Sequence, residues 1–409
     1  IDGAAFTYQG GLFDGKGFLS WNYKNGFKIK LFVESNDYTP PKIQTFGGPK
    51  VIKSRERNDI YLSIDSYSFK KAIVPNAYLG HQLSIDHTGT LAFNTPQLIF
   101  LKENFIERNS YWTGSGIYRL KKQNYSFPKK LHKKEKIGDE ELRKGWNRTG
   151  IQCKSKDKHL IAWVEDDEYL HLKFGLKKEK YSQAVALNFP CGFRLAISFL
   201  IGMEVMRLKS EVNGKNSNVV VLKKLREVKE MPVYFGLDSF QFFDSQIVWD
   251  LSLFFTRGYL DIYQYRESYV ARRILNQLIE AEQQKTLIAQ ELLTATILEA
   301  ALRTLFDVPF LDGSKSDFQV ENYLKNNFIK KYADGRKWRT VRKKVAESFN
   351  RMRHRNAHPD WLVGENDVHD DKNISNTFHD LRIMIRFYQQ MILLMAGIKD
   401  IDPNLPYKI

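Results

Sequence analysis

Residues 349–361, FNRMRHRNAHPDW, crowd Arg351, Arg353, His354, Arg355 and His358 into a span that ends at Pro359. Breaking an RNA backbone without a metal requires a base for the ribose 2′-OH proton and a fixed cation for the charge that develops on the phosphate. Imidazole titrates near neutral pH and suits the first task; a planar guanidinium suits the second. Pro359 disfavours α geometry at His358, so a helix through this segment is expected to stop there. Arg353 then lies on the last turn and His358 at the exit, where the two reach a single phosphate. His358 is the candidate general base and Arg353 the candidate stabiliser of the transition state, with a 2′,3′-cyclic phosphate and a 5′-OH as products. The Arg-x4-His spacing by itself is weakly specific, so the elements around it carry the argument.

The helix that must position the pair is WRTVRKKVAESFNRMRHRNAH. Val341, Val345, Phe349 and Met352 fall on one stripe and are expected to face a bundle, while Arg339, Lys343, Lys344 and Arg351 point outward. Arg339, Lys343, Arg351 and Arg355 are candidate RNA contacts, with the basic run RKWRTVRKK as a track, although such a run is also what a solvated helix face carries. His354 and Asn356 are candidate positioners of the phosphate or of the Arg. Glu299, in ILEAALR, is a candidate orienter of Arg353 or Arg355 if its helix packs beside the motif helix.

The C-terminal 150 or so residues read as helical. From IYQYRESYVARR through ALRTLF, Gly and Pro are nearly absent and apolar residues recur at three and four, which predicts an antiparallel helix pair or one longer bent helix. SKSDFQVENYLKNNFIKKYA, the motif helix and ISNTFHDLRIMIRFYQQMILLMAG add three more. The first 190 residues carry β punctuation instead: GGLFDGKGFLSW, YKNGFKIKLFVESN, DIYLSIDSYSF, GTLAFNTPQLIF and LIAWVEDDEYLHLKF alternate polar and apolar positions around Gly and Asn-Gly turns. Short strands at close spacing imply a sandwich or barrel. Residues 129–150 have the charge density of an exposed loop or short helix, and 192–209 read as one amphipathic helix followed by a strand pair near VVVLKKLREV and MPVYF. The expected fold class is thus α+β and multidomain: a β-rich domain over 1–235, a connector over 236–258 and a helical bundle over 259–409.

The motif and its surroundings resemble the R-x4-6-H motif of the HEPN superfamily, in which the residue after the Arg is usually Asn, Asp or His; here it is His354. That family is an α-helical bundle carrying the Arg and His at the end of its third core helix, before a loop and a last helix. PDWLVGENDVHDDKN and ISNTFHDLRIMIRFYQQMILL stand in those places. The resemblance implies a metal-independent endoribonuclease, a homodimer whose site takes one Arg and one His from each chain, and no cofactor. Asp360 stands two residues after the His, where a toxin subgroup has Tyr, so that subgroup's self-modification chemistry is not implied. A Gly-rich β domain opening YQGGLFDGKGFLSWNYKNGFKIKLFV ahead of such a bundle is similar to the ApeA-type antiphage nucleases of bacteria. That likeness implies abortive-infection defence against phage, RNA as substrate (tRNA or another structured RNA) and a phage-derived or cellular trigger. Two readings of other classes stay open: a non-catalytic RNA- or nucleotide-binding module whose β domain does the recognising, and a helical half that serves only dimerisation.

Bulk properties agree with a polyanion partner. The balance of 63 Lys and Arg against 47 Asp and Glu leaves a formal +16. Cys153 and Cys191 are the only cysteines, far apart and without C-x-x-C, so neither a disulfide framework nor a thiolate zinc site is supported and a reducing cytoplasm is expected. The apolar runs FRLAISFLIGM and MILLMAGI are short of the roughly 20 residues a bilayer needs, so no membrane span is expected. Residue 1 is Ile, which leaves a lost N-terminal stretch open, and no targeting segment is expected.

Other constellations read as structural. EDDE at 165–168 with Lys173 lacks the acidic-x-Lys pair of a metal nuclease, because His171 holds the acidic position, and suits a solvated strand edge. HDD at 369–371 with His379 suits caps and solvated charges better than metal ligands. GLFDGK at 11–16 lacks the spacing of a phosphate loop and reads as a hairpin.

Overall fold

The computed structural model describes residues 110–120, 150–164, 169–213, 245–308, 319–354 and 375–398 with their side chains, apart from Met203, Glu282, Lys285, Asp334, Gly335 and Lys337; further strands and helix ends are described as backbone only. The chain divides into two units, Ile1–Pro190 with Met206–Glu227 and Cys191–Val205 with Val228–Ile409. A β-then-α layout holds: an antiparallel sheet region precedes a run of helices.

Five strands form the described centre of the first unit: β1 (Tyr111–Arg119), β2 (Arg148–Lys154), β3 (Lys158–Glu165), β4 (Tyr169–Lys177) and β5 (Met206–Asn213). They pair antiparallel in the order β2-β3-β4-β1-β5, extended by Lys129–Leu131 on one side and by Ser217–Lys223, Gln97–Glu103, Lys71–Val74 and Ile60–Ser63 on the other. Period-two alternation decides which face is core. Leu160, Ala162, Leu172, Phe174, Leu176, Tyr118, Leu208 and Val212 are buried, while Lys154, His159 and Lys173 between them are exposed. Phe174 packs on Phe189 at a centroid distance of 4.7 Å, and the Tyr118 hydroxyl donates to the Pro190 carbonyl at 2.9 Å. A second antiparallel sheet orders Ala4–Tyr8, Gly11–Asn22, Gly26–Asn36, Thr90–Thr95 and Ser84–Ile85.

Several sequence expectations are corrected here. GLFDGK is not a hairpin: Gly11–Asn22 is one continuous strand, and its register shifts between Asp14 and Gly15, so the glycines serve an irregularity in the ladder. Residues 129–150 hold short strands, Lys129–Leu131 and the pair Glu135–Ile137 and Glu140–Leu142, in place of a loop or helix. The latter two pair antiparallel, Ile137 opposite Glu140. Of EDDE, Glu165 ends β3, and 166–168 lie outside the described residues. The expected helix over 192–209 is α1, Gln183–Ile201. It stops before Gly202, whose φ of 74° is left-handed, and β5 follows because RLKSEVN alternates with period two. At 19 residues α1 is long and apolar enough to cross a membrane by length and composition, and 72% of that window is buried in the protein. MPVYF lies outside the described residues.

In the second unit α2, Ser245–Arg257, occupies part of the stretch read as a connector. Gly192 on α1 is the contact point: a β-carbon there would overlap Thr256 Oγ1 and the Ser252 carbonyl, already joined by a 2.6 Å hydrogen bond. Gly192→Ala is therefore expected to destabilise the protein by about 1–3 kcal/mol through overpacking, read as a lower denaturant midpoint with unchanged slope. An unchanged midpoint would contradict this close approach.

The long Gly- and Pro-poor stretch is a helix pair, α3 (Arg266–Glu282) and α4 (Leu287–Phe306). Thr286 caps α4, accepting from the Ala289 N–H, and Asp307 ends it in the left-handed conformation. Arg266 at the start of α3 reaches Asp307 at 2.9 Å, so the pair is antiparallel. Then come α5 (Ser316–Tyr323), a π-helical stretch Leu324–Ile329, α6 (Lys330–Tyr332), α7 (Arg339–Ala357) and α8 (Asp371–Met395). Their apolar stripes meet in a core of Leu298, Leu302, Phe328, Val345, Phe349, Met352, Met384, Phe387 and Tyr388.

Candidate active site at the end of helix α7

Helix α7 buries the stripe the sequence assigns to it: Val345, Phe349 and Met352 are nearly inaccessible and Val341 is half-buried, while Arg339, Lys343 and Lys344 are exposed. Lys343 lies 3.9 Å from Glu347, one turn on, so the exposed ridge of Arg339, Lys343, Glu347 and Arg351 is not uniformly basic.

Arg351 departs from its expected role as a simple outward contact. Its Nε donates to both Asp380 carboxylate oxygens at 3.2 and 3.1 Å, and its Nη2 donates to Asp380 Oδ1 at 2.6 Å and to Ser348 Oγ at 3.2 Å. The Asp380 side chain is 1% exposed and that of Arg351 47%. Those hydrogen bonds hold the Arg351 guanidinium further above its already high ordinary value. A buried carboxylate facing a two-point guanidinium is a strong, directional tie, and here it fixes the last turns of α7 against α8.

Arg353 stands two residues on. It is half-buried, and its Nη1 is buried with no hydrogen-bond partner among the described residues. An unpaired buried guanidinium nitrogen is costly to maintain, and an anionic ligand would relieve that cost. His354 is exposed on the same turn. Arg355 and Asn356 continue α7, with side chains outside the described residues, and His358 lies just beyond the helix, also outside them. No family model matches this chain. Comparison with curated proteins and with solved structures finds no match either. The local chemistry of α7 therefore carries the functional reading.

Glu299 is half-buried on α4, and the Arg355 side chain it was expected to orient lies outside the described residues. Lys331 and Tyr332 bond Glu267 at the start of α3, at 2.8 and 2.9 Å. From Tyr332 to Arg339 is a stretch of at most about 25 Å, less than the roughly 30 Å length of α4. So α7 begins near the end of the bundle where α4 finishes, and runs back along it. Phe387 packs on Phe328 at 6.0 Å, which aims α8 toward that same end. The Tyr388 hydroxyl donates to the Thr294 carbonyl at 2.6 Å, and Tyr388 lies about 12 Å along α8 from Asp380. Gln290 and Glu291 on α4 are each 3% exposed. Sequence reasoning missed Asp380. A detectable signal existed for Asp380: it interrupts the apolar stripe that continues through Met384, Phe387 and Met391, where a carboxylate demands a partner.

Among the described residues no group of three His, Cys, Asp or Glu side chains could hold a metal ion. HDD at 369–371 lies outside those described with side chains, and His379 is exposed.

Proposed function

We propose that this protein is an endoribonuclease of HEPN type, acting without a metal in defence against phage. The observation that carries the reading is the buried Nη1 of Arg353 near the end of α7, which has no hydrogen-bond partner among the described residues, five residues before His358. The succession of a helical unit, the motif helix, a loop and a last helix supports it.

In this reading His358 takes the proton of the ribose 2′-OH, and the freed oxygen attacks the adjacent phosphorus. The bond to the 5′-oxygen breaks, leaving a 2′,3′-cyclic phosphate on one fragment and, once that oxygen is protonated, a 5′-OH on the other. Arg353 faces the phosphate and stabilises the charge gathering on its oxygens. Arg351 holds the helix end on Asp380, and Arg339 and Lys343 lie along the approach of the strand. One Arg-His pair leaves the departing oxygen without a proton donor, so the site is completed by a second chain around a twofold axis.

The shared site has a direct test. Activity per chain is expected to fall on dilution through the dimer dissociation constant. Excess His358→Ala protein mixed with wild type is expected to depress cleavage once subunits exchange. Equal cleavage by a demonstrated monomer would overturn the shared site, and a stable dimer that binds RNA without cutting under any trigger would favour a binding module.

A further inference from the structure

The outward face of the sheet in the first unit carries chemistry that the α7 reading does not use. Register aligns its side chains in rows, because directly opposed residues point to the same face. One row runs Lys154, His159, Gly175, Thr113, Asn213; the next runs Gln152, Ile161, Lys173, Ser115, Glu211; the third runs Gly150, Trp163, His171, Ile117, Lys209. The alternating residues, Cys153, Leu160, Phe174 and Val212 among them, are buried, so the rows lie on the face away from the core. Gln152, Lys154, His159 and Lys173 are exposed.

This face is basic and aromatic together. Lys154, Lys173 and Lys209 stand on it with two imidazoles, against Glu211, which lies 4.0 Å from Lys209. At the β2–β3 end a cleft of about 360 Å³ is bounded by Tyr111, Gln152, Lys154, Lys158, His159 and Ile161, with no carboxylate in its wall. That volume is at the lower end of the roughly 300–1,000 Å³ typical of small-ligand sites. The hairpin around it is held: the Tyr111 hydroxyl donates to the Lys156 carbonyl at 2.6 Å, and Asp157, the one acid of the turn, pairs with Lys180 at 3.2 Å. Gly175 is required, because a β-carbon there would overlap the His159 imidazole lying against it. Two residues along β3, the Trp163 indole stacks on His171 at 5.2 Å and 13°, with Lys173 Nζ 5.9 Å from its centroid. The residue opposite Trp163 on β2 is Gly150, which has no side chain.

From this juxtaposition we infer that the sheet face of β2, β3 and β4 binds single-stranded RNA, with phosphates at Lys154 and Lys173 and a base against Trp163. Single strands suit it because their bases are free to stack on aromatic rings while lysines follow the backbone. Partial burial and the neighbouring Lys154 hold His159 below its usual range, so at neutral pH it is an uncharged imidazole able to donate or accept at a base edge. The inference stands apart from the α7 reading, since it concerns binding and not cleavage.

The test uses the full chain carrying His358→Ala, so that RNA stays intact whatever the nuclease does. A labelled short single-stranded RNA is titrated by fluorescence anisotropy across salt concentrations against this chain and against Lys154→Glu/Lys173→Glu on the same background. Both substitutions are at exposed positions and are expected to leave thermal unfolding unchanged. The expected result is an affinity loss of about tenfold or more, a salt slope smaller by about two, and RNA-dependent quenching of tryptophan fluorescence that Trp163→Phe removes. Binding within twofold of the parent chain in the double variant overturns the proposal. So does charge-dependent capture of anionic lipid vesicles without any binding of RNA, which would assign the face to a membrane surface.

Discussion

Replacing Arg353 or His358 by Ala is expected to lower RNA cleavage by about 10²–10⁴-fold each, the range associated with losing a general base or a charge-stabilising donor. The two losses are not expected to add, because the groups act in one step. Folding is expected to survive. Arg353 Nη1 makes no hydrogen bond among the described residues, so among them Arg353→Ala removes the packing of its stem and no bond to that nitrogen. His358 follows Ala357, the last residue of α7. Arg353→Lys is a sharper variant: it keeps the charge and loses the planar fork, and is expected to recover little activity. Thermal unfolding of either Ala variant well below wild type would make these residues structural and the assigned site wrong.

The largest expected effect on stability comes from the neighbouring pair. Arg351→Ala removes the guanidinium from the Asp380 carboxylate, 1% exposed, at a cost of about 3 kcal/mol. The converse change, Asp380→Asn, leaves a half-exposed guanidinium that water can solvate, and is expected to cost less, about 1 kcal/mol. The double variant is expected to be more stable than the sum of the two losses implies, because both remove the same tie. Denaturant midpoints of the four proteins at one pH measure this directly. Equal losses in the two single variants, or additive ones, would show that the Asp380 contact does not hold α7 to α8.

The sequence made the helical half legible because its signal is local. Spacing at three and four, the absence of Gly and Pro, and Pro359 after His358 are properties of neighbouring residues, and they place α3, α4, α7 and α8 closely. The β half was legible in kind but not in pairing. Whether Asp14-Gly15 turns or shifts a ladder depends on which strand lies alongside, and that information is not local. The helix expected over 192–209 shows the same limit: Gly202 marks a stop, yet its meaning depended on RLKSEVN joining β1 across the sheet. At the site, the spacing of Arg353 and His358 could be read from the chain. The tie of Arg351 to Asp380 could not, since its partners are 29 residues apart.

Incubation of total RNA with the protein in EDTA, beside the His358→Ala chain, tests the central claim most directly. The account predicts that wild type cuts, that its products end in 2′,3′-cyclic phosphate and 5′-OH, and that the variant leaves the RNA whole. Cleavage that requires added Mg²⁺ or Mn²⁺, yields other ends, or continues in the His358→Ala chain would contradict it.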